Sequence, residues 1–281
     1  MERPERVMIL TGAAGGIGHH LATRLFALDH RLWLTDVDLA ALRSAAQKSS
    51  LDDDQRVALS ALDVRDPDAW RHLVKAVEER FGRIDVLLNI AGVMRAEAIT
   101  EASDLSVDLH FDVNAKGTVH GTRAVAPIMI KQGAGHIVNL SSLMGIAALP
   151  GFALYSASKH AVRGFSLATA LELRPFGVAV TVICPDAVQT PMLDAQLHAD
   201  AARIAFSGPS PLSIEEVANA IIERALPKRP LEITLAPKLT GRAIMSKAVA
   251  LAPGLAVPLE PIFSSFGNYM QRRKRRQAGP R

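Results

Sequence analysis

A short apolar run, Val7-Met8-Ile9-Leu10, leads without a break into Thr11-Gly12-Ala13-Ala14-Gly15-Gly16-Ile17-Gly18 and then into a helical run over residues 21–28. Strand, glycine-rich turn and helix in immediate succession restrict the chain to a small set of α/β folds. They also raise a phosphate-binding hypothesis. Glycines let a backbone come close to a pyrophosphate, and a helix N-terminus presents free N–H groups and a partial positive charge. The glycines at 12, 16 and 18 are not spaced as G-x-G-x-x-G, and no Lys-Ser/Thr follows. The usual dinucleotide fingerprint and the P-loop are therefore both unmatched, and a tight strand-to-helix turn with no ligand is the alternative.

The same alternation continues. Strand-like runs fall at 32–35, 57–62, 84–90, 135–140, 178–183 and 231–236. Helical runs fall at 39–48, 67–81, 104–130, 152–174 and 215–226. Strands separated by helices of this length predict a doubly wound parallel sheet with helices on both faces. The run at 84–90 is nearly all apolar and should be buried on both sides. Asp36 closes the second strand. A carboxylate there accepts both ribose hydroxyls of an adenosine and repels a 2′-phosphate. With no Arg or Lys at 37, 13 or 14, the expected cofactor is NAD. The alternative is that Asp36 or Asp38 only caps the helix over 39–48. Gly117 and Gly121, four apart, suit close packing against another helix, internal or from a second subunit.

The proton chemistry sits at Tyr155-Ser156-Ala157-Ser158-Lys159, with Ser142 thirteen residues before the tyrosine. Tyr155 and Lys159 share one helix face. A phenol with a reference pKa near 10 is a poor base at neutral pH, and an ammonium beside it should lower that value. It could then take a proton from an alcohol or return one to a carbonyl oxygen. Ser142, at the carboxyl end of the strand over 135–140, would fix the substrate oxygen. Each residue also has an inert reading: a buried phenol, a surface lysine, a turn serine. A serine hydrolase built on Ser142 is disfavoured, because its surroundings lack a G-x-S-x-G elbow.

Composition narrows the class further. Cys184 is the only cysteine, so no internal disulfide forms and a reducing, cytoplasmic setting fits. The charged start, residues 1–6, is no secretory signal. Net charge is +4, but the five basic residues of 272–276 account for it: removing them from 32 leaves 27 against 28 acidic. A near-neutral body with a basic tail argues against nucleic-acid binding. The histidines show no metal-ligand grouping.

Taken together these motifs resemble the short-chain dehydrogenase/reductase family, in its single-domain subgroup. Residues 11–18 match its TGxxxGIG turn, Asn89-Ile90-Ala91-Gly92 its NAAG motif, and Asn114, Ser142, Tyr155 and Lys159 its catalytic positions. Pro185 and Thr190 match the segment that holds the nicotinamide end. The match covers roughly residues 5 to 235. It implies a Rossmann-like three-layer sheet of about seven strands and hydride transfer between a nicotinamide and an alcohol or ketone. By the same resemblance Tyr155 is the acid/base, Lys159 tunes it and holds the nicotinamide ribose, Ser142 orients the substrate and Asn114 maintains a proton path. Gly12, Ala14, Gly15, Gly16, Ile17 and Gly18 would form the cofactor turn. Asp36 would meet the ribose, Asp63 and Val64 the adenine. Asn89, Ala91 and Gly92 would lie along the cofactor, and Pro185, Val188 and Thr190 at its nicotinamide end. Two departures stand out: Pro185-Asp186 replaces the frequent Pro-Gly, and His19 sits near the expected phosphates.

The segment 192–211 reads as a flap over the substrate. Its apolar content, with Leu143, Met144, Ile146, Leu149 and Phe152, points to an apolar sterol, retinoid, fatty or aryl alcohol or ketone. Residues 1–236 read as a dinucleotide-binding and catalytic domain, and 237–281 as a C-terminal extension. The uncharged stretch 248–259 is too short and too broken to span a bilayer. Followed by the basic run, it suits either peripheral membrane contact or packing on the body. A homodimer or homotetramer is expected from the resemblance. The competing function is an NAD-binding regulatory scaffold acting through its tail.

Overall fold

The computed structural model describes residues 5–51, 55–208, 210–237 and 241–278. The first four residues of the charged start, Pro209 of the flap, the junction 238–240 and the end of the extension lie outside the described residues. Seven strands form one parallel sheet: β1 (Val7–Thr11), β2 (Arg31–Asp36), β3 (Val57–Ala61), β4 (Val86–Asn89), β5 (Gly135–Leu140), β6 (Val178–Pro185) and β7 (Glu232–Leu235). Their order is β3-β2-β1-β4-β5-β6-β7. The chain reverses direction of growth between β1 and β4, and a crevice opens at that point beyond the strands' carboxyl ends.

Eleven α-helices are described: α1 (Gly16–Phe26), α2 (Leu39–Lys48), α3 (Pro67–Phe81), α4 (Asp104–Leu109), α5 (Gly117–Gln132), α6 (Ala153–Leu173), α7 (Pro191–Asp194), α8 (Ile214–Asn219), α9 (Leu226–Lys228), α10 (Arg242–Leu251) and α11 (Ala256–Ala278). The sheet buries both faces. Within β1 the period of two sends Met8 and Leu10 to a core with Leu21 and Leu25 of α1, and Val7 and Ile9 to a core with Trp70 of α3 and Val125 and Met129 of α5.

The long helix expected over 104–130 is interrupted. A π-helical segment, His110–Lys116, joins α4 to α5 and carries Asn114. Such bulges shift the helix register and concentrate at functional sites. The two glycines of α5 pack internally. A Cβ on Gly117 would come within 2.7 Å of the Val64 side chain, and one on Gly121 within 2.7 Å of both Asn89 and the Trp70 ring. α1 starts five residues earlier than the apolar run indicates, at Gly16, because its first turn is made of the glycines themselves.

Among the described residues no helix is long and apolar enough to cross a membrane. α11 packs along the 3₁₀ segment Asp200–Phe206 of the flap. Gln271 donates to the carbonyls of Leu197 and Ala199, and Arg275 to the Leu197 carbonyl and the Asp200 carboxylate. Part of the basic run thus holds the extension on the body and is not solvated.

Candidate active site

The turn after β1 builds one end of the crevice. Gly12 has φ +69° and Gly16 φ +54°, a region that side chains rarely adopt. A Cβ on Gly12 would also stand 2.9 Å from the Ala91 Cα, and one on Gly18 2.0 Å from the Gly12 carbonyl oxygen. Glycine is therefore required to seat α1 against the turn and the turn against β4. Gly15 occupies the N-cap of α1, where no side chain accepts from the first-turn N–H groups. No atom lies within 4 Å of where a Gly15 Cβ would be. Open space over unpaired donors is what an anionic pyrophosphate needs, so these residues fit a dinucleotide.

The Asp36 carboxylate accepts from the Ala14 N–H at 3.0 Å and from the Asp38 N–H at 3.2 Å, which fixes it in the crevice wall. Asp38, not Asp36, caps α2, accepting from Ala41 at 2.9 Å. The cap is thus Asp38's, and Asp36 stands in the crevice wall. Thr11 ties the crevice shut at its base: its Oγ1 accepts from the N–H groups of Ile90 and Ala91.

One cavity of about 490 Å³ runs from this turn to the extension. Gly12, Gly15, Gly16, Ile17, Gly18, Asp36, Ala91 and Gly92 line one end, and Ser142, Tyr155, Lys159, Pro185, Val188 and Thr190 lie farther along it. Thr190 caps α7 and sits across from Gly16, its methyl 3.9 Å from where a Cβ would stand. Ala14 reaches the site through its backbone alone.

Besides Ala14, three of the expected cofactor residues do not line the cavity. Asn89 is buried and donates to Asn139 Oδ1 at 2.8 Å, so its amide braces β4 against β5. Val64 packs against α5, and its carbonyl accepts from the Trp70 indole. Asp63 is chelated by Arg65, whose guanidinium holds the carboxyl below the usual range. The three motifs are real, but two of these side chains serve packing and the third an ion pair. His19 likewise meets Ser49 Oγ at 2.8 Å and is absent from the wall.

Ser142, Tyr155 and Lys159 converge. The Ser142 hydroxyl faces the Tyr155 phenol, opposing the rise in its pKa, and donates to the Pro185 carbonyl at 3.5 Å. It accepts from the Met144 N–H at 3.1 Å, which orients it. Lys159 Nζ donates to the Leu140 carbonyl at 2.8 Å and lies 5.8 Å from the Tyr155 ring centre. The expected depression of the phenol by this ammonium is not found. Burial pushes Tyr155 up to about 12, with the Ser142 hydroxyl opposing it, and burial pushes Lys159 down to about 8. Desolvation wins because the ammonium is spent on a carbonyl and is itself disfavoured in a dry site.

Asn114 stands one layer behind. Its Nδ2 donates to the Val93 carbonyl and to Ser158 Oγ, and its Oδ1 accepts from the Val93 N–H. A Cβ on Gly92 would lie 3.1 Å from Asn114 Oδ1 and 3.4 Å from Lys159 Nζ, so glycine lets the amide and the amine approach.

Several residues in and around the wall escape a sequence reading. His110 stacks edge-on against the Tyr155 ring at 6.4 Å. Its Nδ1 meets the Ser106 carbonyl at 2.8 Å and its Nε2 accepts from the Arg95 N–H at 3.1 Å. Asp186 forms an ion pair with Arg242 of the extension, 2.6 Å from Oδ2 to Nε. Met245, Leu259 and Phe263 bring the extension into the wall. No motif signals a contact made by chain 56 residues farther on. The rest of the substrate end is apolar, from Met94, Leu143, Met144, Leu149 and Leu193.

The family pattern described as short chain dehydrogenase matches residues 6–201. An uncharacterized oxidoreductase of Staphylococcus saprophyticus is 36% identical over 228 residues, 77% of this chain and 97% of its own. The oxidoreductase UcpA of Escherichia coli is 35% identical over 191 residues, 68% of this chain and 72% of its own. Among solved structures, a short chain dehydrogenase/reductase of Burkholderia phymatum in complex with NAD superposes with a TM-score of 0.78 at 29% identity, covering 92% of this chain and 96% of that one.

Proposed function

Because the chain belongs to the short-chain dehydrogenase family, and is thereby an oxidoreductase with an NAD(P)-binding Rossmann fold, we propose that it interconverts an apolar alcohol and the corresponding ketone with NAD(H). The observation that carries this reading is the meeting of Ser142, Tyr155 and Lys159 in one cavity with the glycine turn and Asp36. When bound, the dinucleotide supplies the hydride acceptor or donor.

The chain's own residues do the rest. Gly15, Gly16, Ile17 and Gly18 offer backbone donors to the pyrophosphate, and Asp36 accepts the adenosine ribose hydroxyls. Asp63 and Val64 flank the adenine through their backbone, since Leu62 N–H is bonded to the Asp36 carbonyl and holds the two strand ends together. Ala91, Gly92, Pro185, Val188 and Thr190 bound the nicotinamide half. Tyr155 gives a proton to a ketone oxygen or accepts one from an alcohol, and Ser142 fixes that oxygen by a hydrogen bond. Lys159 holds the ribose and, once shifted from Leu140, stabilises the phenolate. Asn114 positions the Val93 backbone and Ser158 beside the proton path. The Asp36 carboxylate, held in the crevice wall, supports NAD over NADP.

Apolar walls from both the body and the extension support a lipophilic substrate such as a sterol, retinoid, fatty or aryl alcohol. Residues 1–236 serve as the dinucleotide-binding and catalytic unit, and 237–281 complete the substrate end. A homodimer or homotetramer in the cytoplasm, with its single thiol buried, fits the family habit and the composition. The regulatory-scaffold alternative gains no support, because relatives are named oxidoreductases and the proton-handling set is complete.

Titrating NADH and NADPH against protein fluorescence tests the cofactor. NADH should bind at least tenfold more tightly, and Asp36→Ala should remove that preference. A preference for NADPH would overturn the role of Asp36. Turnover in a screen of lipophilic alcohols should fall at least a thousandfold in Tyr155→Phe, with NADH binding retained.

A further inference from the structure

The extension is apolar on two sides. Its inner side, with Met245, Val249, Leu259 and Phe263, walls the cavity. Its outer side leaves Ile244, Leu251, Val257 and Ile262 exposed, Leu251 to 89%. On α11 the outward residues Ile262, Phe266, Tyr269, Arg273 and Arg276 follow one another at intervals of four and three, so they form a single stripe. Apolar side chains, then a phenol, then guanidinium groups is the order met on passing from acyl chains to lipid phosphates.

The charge on this face has one sign. Between residues 242 and 278 the only acid is Glu260, and it is bonded by the Ser264 hydroxyl. Lys274 lies 5.5 Å over the Phe206 ring and Arg275 grips the flap, whereas Arg272, Arg273 and Arg276 are exposed. The stripe cannot roll inward. Gly267 is pressed so tightly on the flap that a Cβ would lie 2.2 Å from the Arg203 carbonyl oxygen, and Gln271 is buried in hydrogen bonds. A second copy seated on this face would bury arginines without carboxylates from the extension to meet them, a costly arrangement. Anionic lipid headgroups supply that charge.

We propose that the outer face of α10 and α11 docks on an anionic lipid bilayer, with α11 inclined so that Ile262 and Phe266 dip toward the acyl chains while Arg273 and Arg276 stay at the headgroups, and with the cavity wall held directly above the lipid. Lipophilic substrate then reaches the cavity from the membrane. That second consequence rests on the oxidoreductase reading; the docking does not.

The test is flotation of the full chain with vesicles of phosphatidylcholine alone or mixed with phosphatidylglycerol. The protein should float with the mixed vesicles, less so as salt rises, and stay behind with the neutral ones. The double variant Arg273→Ala, Arg276→Ala should lower partitioning roughly tenfold or more. Ile262→Ser with Phe266→Ser should do the same, with melting temperature and NADH titration unchanged. No flotation of the wild type, or equal flotation of wild type and both variants, overturns the proposal. So does self-association in the ultracentrifuge that Phe266→Asp abolishes, since a second copy then covers the face. If variants lose flotation while NADH binding is absent throughout, the docking stands and the dehydrogenase reading fails.

Discussion

Tyr155 and Lys159 pay for their position in opposite directions. The phenol stays protonated at neutral pH because burial raises it to about 12, so the resting site is an acid. Ketone reduction, which consumes that proton, should hold its rate through neutral pH and fall only at alkaline pH. Alcohol oxidation needs the phenolate and should rise with pH over the same range; a pH–rate profile in both directions checks this. Lys159 behaves conversely. Its value drops from 10.5 unfolded to about 8 folded, so the stability it contributes is complete above about 10.5 and lost as pH falls through about 8. At pH 7 the buried ammonium is a cost, and Lys159→Met should raise stability by about 1–2 kcal/mol while abolishing turnover. Thermal unfolding at pH 7 and pH 10 measures it, with the advantage shrinking at the higher pH.

At the scale of elements, two contacts decide whether the site is assembled. The first is α5 on α3. Gly121 has no room for a methyl group between Asn89 and Trp70, so Gly121→Ala should destabilise the fold by about 1–3 kcal/mol in denaturant unfolding, through overpacking. The second is the ion pair between Asp186, just after β6, and Arg242 at the start of α10. Its side chains are only 10% and 14% exposed. Arg242→Ala leaves a nearly buried carboxylate with the Ala187 N–H as its remaining partner on the body. It should cost about 2–4 kcal/mol. Replacing both, Asp186→Gly with Arg242→Met, should recover most of that loss in the same melting experiment, because the stranded charge is gone. The aspartate after Pro185 thus has a structural role: it receives the extension.

On the scale of the whole molecule, the parallel sheet and the glycine turn were legible because both are written locally. The alternation of β1 side chains between the two cores and the largely apolar β4 depend only on which residues are adjacent in sequence. The positions of Ser142, Tyr155 and Lys159 were legible for a related reason, since strand ends and helix faces follow from spacing. That the Asn89 side chain turns toward Asn139 and the Val64 side chain toward α5 was not legible, because a motif carries no record of side-chain direction. The tuning of Tyr155 was misjudged because burial is a property of everything packed around it.

The amino-acid sequence by itself determined the alternation of strand and helix, the φ-permissive turn at Gly12 and Gly16, and the pairing of phenol and amine on one helical face. These are consequences of side-chain period and of the missing Cβ, which act over a few residues. Only the tertiary structure decided that Lys159 bonds Leu140, that Asp38 takes the cap and frees Asp36, and that residues beyond 241 wall the cavity. Each of those depends on free-energy differences between partners far apart in the chain, and no local pattern encodes them.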